Sequence, residues 1–135
     1  MKRKQSGFTM IELIVVIVIL GILAATALPK FIDLSSDAKL SAIKGVAGTL
    51  GSAMSVNYAG CAATGHAATA NKCATISACE DVEDLLQGGT LPDGYAVTAG
   101  VALATNGATA TCTVTSTADT SVPAQNFTGI GAGHP

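Results

Sequence analysis

Aromatic and charged residues are scarce in this chain of 135 residues. It contains no Trp, two Tyr and three Phe, and 12% of its residues are Asp, Glu, Lys or Arg. The formal net charge is −2, and the clustered basic surface that accompanies nucleic-acid binding is missing. Large apolar side chains are also few after Tyr58. A domain formed there is therefore expected to have a thin core and to need covalent cross-links.

A recognisable set of catalytic residues is missing as well. The two histidines, His66 and His134, have no neighbouring Ser or Cys in the sequence context of a nucleophile. A lone histidine in a loop is usually an exposed one. A triad assembled from distant residues stays open, but an enzyme is the least favoured function.

One long apolar run dominates the amino-terminal part. From Phe8 to Leu28 the only charged residue is Glu12, and a helix of that length spans roughly 30 Å, the thickness of the bilayer hydrocarbon. The run is too long for a secretory signal peptide, so cleavage near residues 24–27 and a plain signal anchor are minor alternatives. Neither explains Glu12, because a lone carboxylate costs about 2.5 to 3.5 kcal/mol in a membrane and needs a partner.

The residues before this run form a specific pattern. A basic stretch, Lys2-Arg3-Lys4, precedes Gly7-Phe8-Thr9-Met10-Ile11-Glu12-Leu13. The pattern resembles the class III signal of type IV pilins and pseudopilins, and residues 11–50 are most similar to the mannose-sensitive haemagglutinin branch. The resemblance covers about residues 1–58. It implies an α+β, pilin-like fold with a long amino-terminal helix, half transmembrane and half amphipathic, packed on a small disulfide-stapled antiparallel β head.

The resemblance also implies how the chain is processed. A prepilin peptidase would cut after Gly7 and methylate the new amino terminus on Phe8. In a fibre the amine of Phe8 would then pair with Glu12 of a neighbouring copy, although the two positions are four apart and a pair within one helix stays possible. Pro29 occupies the place of a helix-bending proline.

The division of the chain and its partners follow from the same resemblance. We expect a leader at 1–7, a transmembrane or fibre-core helix at 8–29, an amphipathic helix at 30–58 and a globular head at 59–135. The implied partners are further copies in a helical fibre, the prepilin peptidase, the assembly platform with its motor ATPase, and the inner membrane before assembly. No cofactor, metal or specific nucleic acid is expected. The basic leader favours a cytoplasmic amino terminus, with the head periplasmic in the precursor and extracellular in the fibre.

Periodicity and turn signals predict the local structure of the rest. Small and apolar residues recur at three- and four-residue steps and predict an amphipathic helix ending near Tyr58; they are Phe31, Leu34, Ala38, Ala42, Val46, Leu50 and Ala53. A capping box at Ser77–Glu80 predicts a short helix. Asn106-Gly107 predicts a hairpin turn between strands at 95–105 and 108–117, and a third strand is expected near 126–130.

Four cysteines lie after the span, where an exported segment meets oxidising conditions. Two disulfides are expected, and of the three possible pairings we favour Cys61–Cys73 with Cys79–Cys112. The alternative is a zinc site that combines cysteines with His66, but the spacing lacks two close pairs of ligands.

Two further motifs are weaker. Glu80, Asp81, Glu83 and Asp84 form a dense carboxylate run that could hold calcium or supply acid–base groups. Such a run is typical of the solvated start of a helix, where negative charge meets the helix dipole favourably. Asn126-Phe127-Thr128 matches the glycosylation sequon, a motif of low specificity.

These features favour a structural subunit of a type IV pilus, serving adhesion, surface attachment or motility. Two alternatives stay open: a type II secretion pseudopilin, and a membrane-anchored ligand-binding or adhesin protein that does not polymerise. The cleavage signal together with Glu12 favours a polymer, and the four cysteines suit a fibre outside the cell better than a periplasmic one.

The first prediction concerns processing. Cleavage between Gly7 and Phe8 should leave a mature chain that begins with N-methylated Phe8, and the intact mass of purified protein measures both changes. A mature chain that starts at any other residue, or that lacks the methyl group, would contradict the resemblance at its most specific point.

Overall fold

The computed structural model describes residues 7–135, except for the side chains of residues 28–33. The architecture is α+β and pilin-like, with two disulfides. Its elements are helix α1 (Met10–Ala63), a 3-10 helix (Cys79–Leu85) and strands β1 (Tyr95–Val97), β2 (Thr109–Ser116) and β3 (Gln125–Ile130). The chain divides into two compact units, Met1–Asp37 and Ala38–Pro135.

The first unit contains the apolar start of α1. The segment Met10–Ala27 has a mean hydropathy of 2.7, and none of it is buried. By length and composition it can cross a membrane. The backbone stays helical through Pro29, but the side chain of Pro29 lies outside the described residues, so the bend expected there stays a prediction. The leader residues 1–6 are outside the described part as well.

The second unit builds its core on one face of α1. Ile43, Ala47, Leu50 and Met54 recur at steps of four, three and four residues, and none is more than 6% exposed. This spacing places them on one side of a helix. They pack against buried side chains of the 3-10 helix, the sheet and the connecting loops: Ile76, Cys79, Val82, Leu103, Cys112, Val114 and Phe127.

The apolar stripe predicted for this helix is partly wrong. Leu50 is buried and Val46 and Ala53 are half-buried, with Val46 packed on the core, whereas Leu34, Ala38 and Ala42 are exposed. The side chain of Phe31 lies outside the described residues. The core uses the neighbouring stripe because its Ile, Leu and Met side chains bury more apolar area than alanines do. The helix also runs past Tyr58 to Ala63, and its last turn carries Cys61, which the first disulfide ties to the following loop.

The three strands form one antiparallel sheet in the order β1-β2-β3. Tyr95 is opposite Ser116 and Val97 opposite Val114, while Cys112 is opposite Phe127 on the other side of β2. The third strand therefore lies where the sequence predicted it. On β2, Cys112 and Val114 face the core with an exposed or half-buried residue on either side, as the two-residue period of a strand requires.

The turn predicted at Asn106-Gly107 forms, with Ala108 N–H donating to Thr105 O at 3.0 Å, and β1 pairs with β2 as predicted, but the first strand predicted at 95–105 is too long. Strand β1 ends at Val97, and the backbone beyond it bonds elsewhere: Cys79 N–H donates to Val101 O at 3.1 Å and Leu103 N–H to Ser77 O at 2.6 Å. The amide of Gly107 donates to Gly131 O at 2.9 Å. Long-range pairing has replaced the distal part of the first predicted strand because these backbone groups find partners in the disulfide-bearing segment and in the carboxy-terminal tail.

The start of the short helix differs from its prediction in one residue. The carboxylate of Asp81, not of Glu80, accepts hydrogen bonds from the amides of Ser77 at 2.7 Å and Ala78 at 2.9 Å. Glu80 instead accepts from the amide of Gly100 at 3.1 Å. Both carboxylates thus satisfy backbone donors, one at the helix start and one in the loop before β2.

Two disulfides close the second unit. Cys61 is bonded to Cys73 and Cys79 to Cys112, with Cα–Cα distances of 4.5 and 5.6 Å. These are the pairs favoured from the sequence, and no free cysteine remains among the described residues, so the zinc alternative is wrong. A Cβ atom on Gly129 would collide with Cys112 Sγ and come within 3.0 Å of Leu103 Cδ1, so this position beside the second disulfide requires glycine.

Two asparagine side chains hold loops through paired amide bonds. Asn57, 8% exposed, donates to Ala74 O and accepts from Ala74 N–H, both at 2.9 Å. Asn106 donates to His134 O at 2.6 Å and accepts from His134 N–H at 3.0 Å. A side-chain amide can bond both the N–H and the C=O of one backbone residue. It thereby fixes a loop that has no strand pairing.

One ion pair joins α1 to the loop between β2 and β3. Lys39 Nζ lies 2.7 Å from Asp119 Oδ2, and Ser121 donates to Asp119 Oδ1 from its amide at 3.0 Å and its hydroxyl at 2.6 Å. The Lys39 bond and the two Ser121 bonds lower the pKa of Asp119 from 3.8 to about 2, because each favours the ionised carboxylate.

The second prediction concerns the disulfides. Replacing Cys79 and Cys112 together by Ser should lower the free energy of unfolding by about 4 kcal/mol, and replacing Cys61 and Cys73 by about 3, because the longer loop restricts the unfolded chain more. The sequence separations are 33 and 12 residues. Urea unfolding of the full chain in detergent, followed by near-ultraviolet circular dichroism, measures both. A larger loss from the Cys61–Cys73 pair, or none from either, would contradict this reasoning.

The third prediction concerns pH. Because folding lowers the pKa of Asp119 from 3.8 to about 2, the stability that this carboxylate contributes is complete above pH 3.8 and is lost as pH falls through about 2. The variant Asp119→Asn should therefore melt below wild type at pH 7, and the gap should close between those two values. Asn126→Asp, an exposed polar position on β3, is a control for changing one charge. A gap that persists below pH 2 would show that Asp119 acts through packing rather than charge.

Candidate functional site

The candidate site is the start of α1, where the only charge of the apolar segment lies. Helix α1 begins at Met10, and its first backbone bond runs from Leu13 N–H to Thr9 O at 3.2 Å. Thr9 is thus the residue that caps the helix, and Glu12 is the third residue inside it. The first amides of a helix lack partners within it, so side chains at these two positions are well placed to bind them.

Thr9 and Glu12 bind one another through three hydrogen bonds. Glu12 Oε2 accepts from the amide and from the hydroxyl of Thr9, both at 2.8 Å. In return the Glu12 amide donates to Thr9 Oγ1 at 3.3 Å. This is a capping box, in which the side chain of each residue satisfies the backbone amide of the other.

The capping box uses one oxygen of the carboxylate. Within the described residues no hydrogen bond reaches Glu12 Oε1, and the side chains around it are apolar and exposed, with Phe8 at 89%, Met10 at 82% and Ile11 at 66%. A carboxylate with a free oxygen in an apolar setting favours a cation, which would form a charge-assisted bond there. The site can therefore hold an amine while its other oxygen keeps the helix start in place.

The residues predicted for cleavage lie directly before this box. Gly7 and Phe8 are exposed and precede the helix, and no heavy atom lies within 4 Å of the position that a Cβ on Gly7 would take. The two residues that flank the predicted cut are therefore exposed, and the cut itself stays a prediction. The sequence interpretation missed Thr9, although the pattern Thr9-x-x-Glu12 is itself the signature of a capping box.

The head offers no metal-binding cluster in its described part. Within residues 7–135, no three His, Cys, Asp or Glu side chains come together in a way that could hold a metal ion. Of the carboxylate run, Glu80 and Asp81 bind backbone amides, whereas the side chains of Glu83 and Asp84 make no hydrogen bond to described residues. Two carboxylates of this run therefore stabilise the local backbone.

The two histidines are on separate parts of the head. His134 Nε2 lies 3.0 Å from Ile76 O and 3.1 Å from Leu103 O, so this ring holds the carboxy-terminal tail between two loops. The ring of His66 is tilted against Tyr58 with centroids 5.5 Å apart. Among the described residues, neither ring makes a hydrogen bond to a serine or cysteine side chain.

Comparison with known proteins points to the same segment. Residues 2–28 match the model of the prokaryotic N-terminal methylation motif. The fimbrial protein EcpC of Eikenella corrodens is 44% identical over 78 residues, which is 53% of this chain and 51% of that protein. The type IV major pilin protein PilE1 of Neisseria gonorrhoeae is 54% identical over 41 residues, or 30% of this chain and 25% of that protein.

A secretion protein shares this region too. The type II secretion system core protein G of Pseudomonas aeruginosa is 52% identical over 44 residues, or 33% of this chain and 31% of that protein. The chain thus spans between a quarter and about half of the length of these relatives. No solved structure matches the chain. The amino-terminal segment carries the N-terminal methylation motif, and the proteins that share it are type IV pilins, fimbrial proteins and a secretion protein; the haemagglutinin branch stays a prediction.

Proposed function

We propose that this chain is a structural subunit of a type IV pilus. The single observation that carries the proposal is the start of α1, where a methylation motif, a capping box and one free carboxylate oxygen lie on an exposed apolar helix. The proposal has three parts: the burial of that helix, the pairing of Glu12, and the export of the head.

The apolar helix needs surroundings other than water. Its large side chains are roughly half exposed or more, from Val15 and Val16 at 47% to Met10 at 82%. Burying one such side chain stabilises by about 1.5 to 3 kcal/mol, so the whole segment represents on the order of tens of kcal/mol. Lipid satisfies this requirement in the precursor. In a fibre, the same helices of neighbouring copies would bury one another.

The charge of Glu12 has different consequences in the lipid-embedded precursor and in the fibre. In lipid its charge is unfavourable, and the capping box offsets part of that cost through the Thr9 bonds. Cleavage after Gly7 would create an amine on Phe8, the cation that Oε1 lacks. A pair between Phe8 of one copy and Glu12 of its neighbour would then favour the polymer, since a buried charge is tolerated when it is paired and hydrogen-bonded.

The remaining assignments extend this proposal. The leader is residues 1–7, which stay in the cytoplasm. The inner membrane is spanned by residues 8–29, with Pro29 as the bend. The helix continues through residues 30–58 into a head that is exported and oxidised. The prepilin peptidase processes the chain, and the assembly platform with its motor ATPase extracts it. Surface exposure of the fibre fits the two buried disulfides, which suit an oxidising environment.

A second candidate is a type II secretion pseudopilin, favoured by the likeness to core protein G. Both functions use the same helix, so they differ in where the fibre stands. Fibres that shear off intact cells and contain this chain support the pilus. Assembly confined to the periplasm supports the pseudopilin, and no polymer at all supports a membrane-anchored binding protein.

The fourth prediction separates the charge of Glu12 from its capping role. Glu12→Gln keeps an oxygen that can accept from Thr9 but removes the charge, so it should insert into the membrane normally and form few or no fibres. Thr9→Val removes the hydroxyl and keeps the charge; it weakens the cap by about 1 kcal/mol and should lower the number of fibres without abolishing them.

Immunoblots of membranes and of sheared fibres measure both outcomes. Ser41→Ala, at an exposed position of α1 in the second unit, is the control and should assemble like wild type. Normal fibre numbers with Glu12→Gln would contradict the proposed pairing, and equal loss in both variants would assign the effect to the cap instead.

A further inference from the structure

The turn before β2 contains a chemically reactive pair of residues. Of the four asparagines in the chain, Asn106 alone is followed by glycine. In such a pair the backbone nitrogen of the glycine can attack the side-chain carbonyl carbon of the asparagine, because no Cβ on the glycine blocks the approach. Asn106 and Gly107 are both exposed, so water reaches them. The conversion of asparagine to aspartate is therefore chemically available at this turn.

The fold requires both members of this pair. Gly107 has a φ of +78°, and a Cβ placed on it would lie 3.2 Å from Tyr58 Oη, so the backbone and the close approach of Tyr58 both favour glycine. The side chain of Asn106 supplies one donor and one acceptor to the backbone of His134. An aspartate cannot supply the donor, because an ionised carboxylate only accepts. The reactive pair is therefore part of the folded structure.

The carboxy-terminal tail, residues 131–135 after β3, binds both reacting groups. The N–H of Gly107, which must lose its proton before the nitrogen attacks, donates to Gly131 O at 2.9 Å. The amide of Asn106, which must turn its carbonyl carbon toward that nitrogen, is bound to His134 through both polar atoms, at 2.6 and 3.0 Å. Exposure to water alone does not permit the reaction, because the tail already holds each group in a hydrogen bond.

The tail is itself held by the segment that precedes the 3-10 helix. Ile76 N–H donates to Ala132 O at 2.9 Å, and the hydroxyl of Thr75 donates to Gly133 O at 3.2 Å. Residues 131–133 are buried, and a Cβ placed on Gly133 would lie 2.8 Å from Thr75 Cα. The reacting groups are released when this tail opens, a local event of the kind that native proteins undergo without global unfolding.

We propose that Asn106 is a one-way modification site that the carboxy-terminal tail guards. When the tail opens, the Gly107 nitrogen loses its proton and bonds to Asn106 Cγ, the bond from Cγ to the side-chain nitrogen breaks, and ammonia leaves. Water then opens the resulting succinimide ring to give aspartate or isoaspartate. The net reaction consumes water and releases ammonia, with no oxidation or reduction.

The product holds the tail less well than asparagine does. A carboxylate at position 106 would place an acceptor against His134 O, where the Asn106 amide donates. Isoaspartate additionally lengthens the backbone of the turn by a methylene group. Either product disfavours the closed tail, so each conversion makes an opening of the tail permanent.

Timed conversion of the full chain tests the guard. Purified protein in detergent, with both disulfides intact, is held at mildly alkaline pH while peptide mapping by mass spectrometry follows Asn106; the same chain, reduced and unfolded in urea, is the reference. Asn106 should convert at least about tenfold more slowly in the folded protein, because the reaction needs the open tail. Equal rates in the two samples would show that the tail guards nothing, and no conversion even in the unfolded chain would overturn the modification site.

A matched pair of glycine variants locates the guard. Gly133→Ala puts a Cβ against Thr75 at a φ of +73°, so the tail should open more often and Asn106 should convert about tenfold faster than in folded wild type. Gly89→Ala is the control, because φ is +69° there and no described heavy atom lies within 4 Å of the added Cβ. It should convert like wild type, and equal acceleration in both variants would contradict a role of the tail.

Two further measurements keep the test decisive. If Gly133→Ala does not form both disulfides, Thr75→Val replaces it; this variant loses the hydroxyl bond to Gly133 O and should convert about threefold faster than wild type, the effect of one hydrogen bond. An unchanged rate in Thr75→Val would overturn the guard. Hydrogen exchange at the amides of Gly107 and His134 should be faster in the converted protein than in the unconverted one, and equal exchange would contradict the release of the tail.

Discussion

A single carboxylate inside an exposed apolar helix is the constraint on which the rest depends. Met10–Ala27 has no buried residue of its own, so it requires lipid or other helices around it. Glu12 is unfavourable in either setting unless its oxygens are bound. Thr9 binds Oε2 at 2.8 Å, and one oxygen remains for a cation that cleavage would supply. The same residue thus stabilises the helix start in one chain and, in the proposed fibre, would favour contact with the next.

The head is under a different constraint, because it has few large apolar residues with which to form a core. Its core depends on the face of α1 that carries Ile43, Leu50 and Met54, and covalent bonds fix what the core does not. Cys79–Cys112 lies within the main cluster and Cys61–Cys73 within a smaller one with Ala132. Asn57 and Asn106 hold the loops that lack regular pairing. The opposite side of α1 is left free of the core.

Much of this could be predicted from sequence, and the failures share a cause. The apolar segment, Glu12, the third strand and the favoured cysteine pairs followed from composition, motif and compartment. The short length of β1 did not: the turn at Asn106-Gly107 forms, but Gly107 bonds to Gly131 and the loop before it pairs with residues 77–79, contacts that no local pattern reports. The buried face of α1 was misplaced because alanines fit either side of a helix. Thr9 was overlooked although its spacing to Glu12 was visible.

The central claim is that Glu12 finds its cation on a neighbouring copy. The most direct measurement is a cryo-electron-microscopy map of assembled fibres at a resolution that shows side chains. The account predicts the amine of Phe8 in one copy within about 4 Å of the Glu12 carboxylate in the next, the range of an ion pair, with Thr9 still bound to the other oxygen. A map in which the amine contacts Glu12 of its own chain, or in which Glu12 faces no cation, would contradict the account.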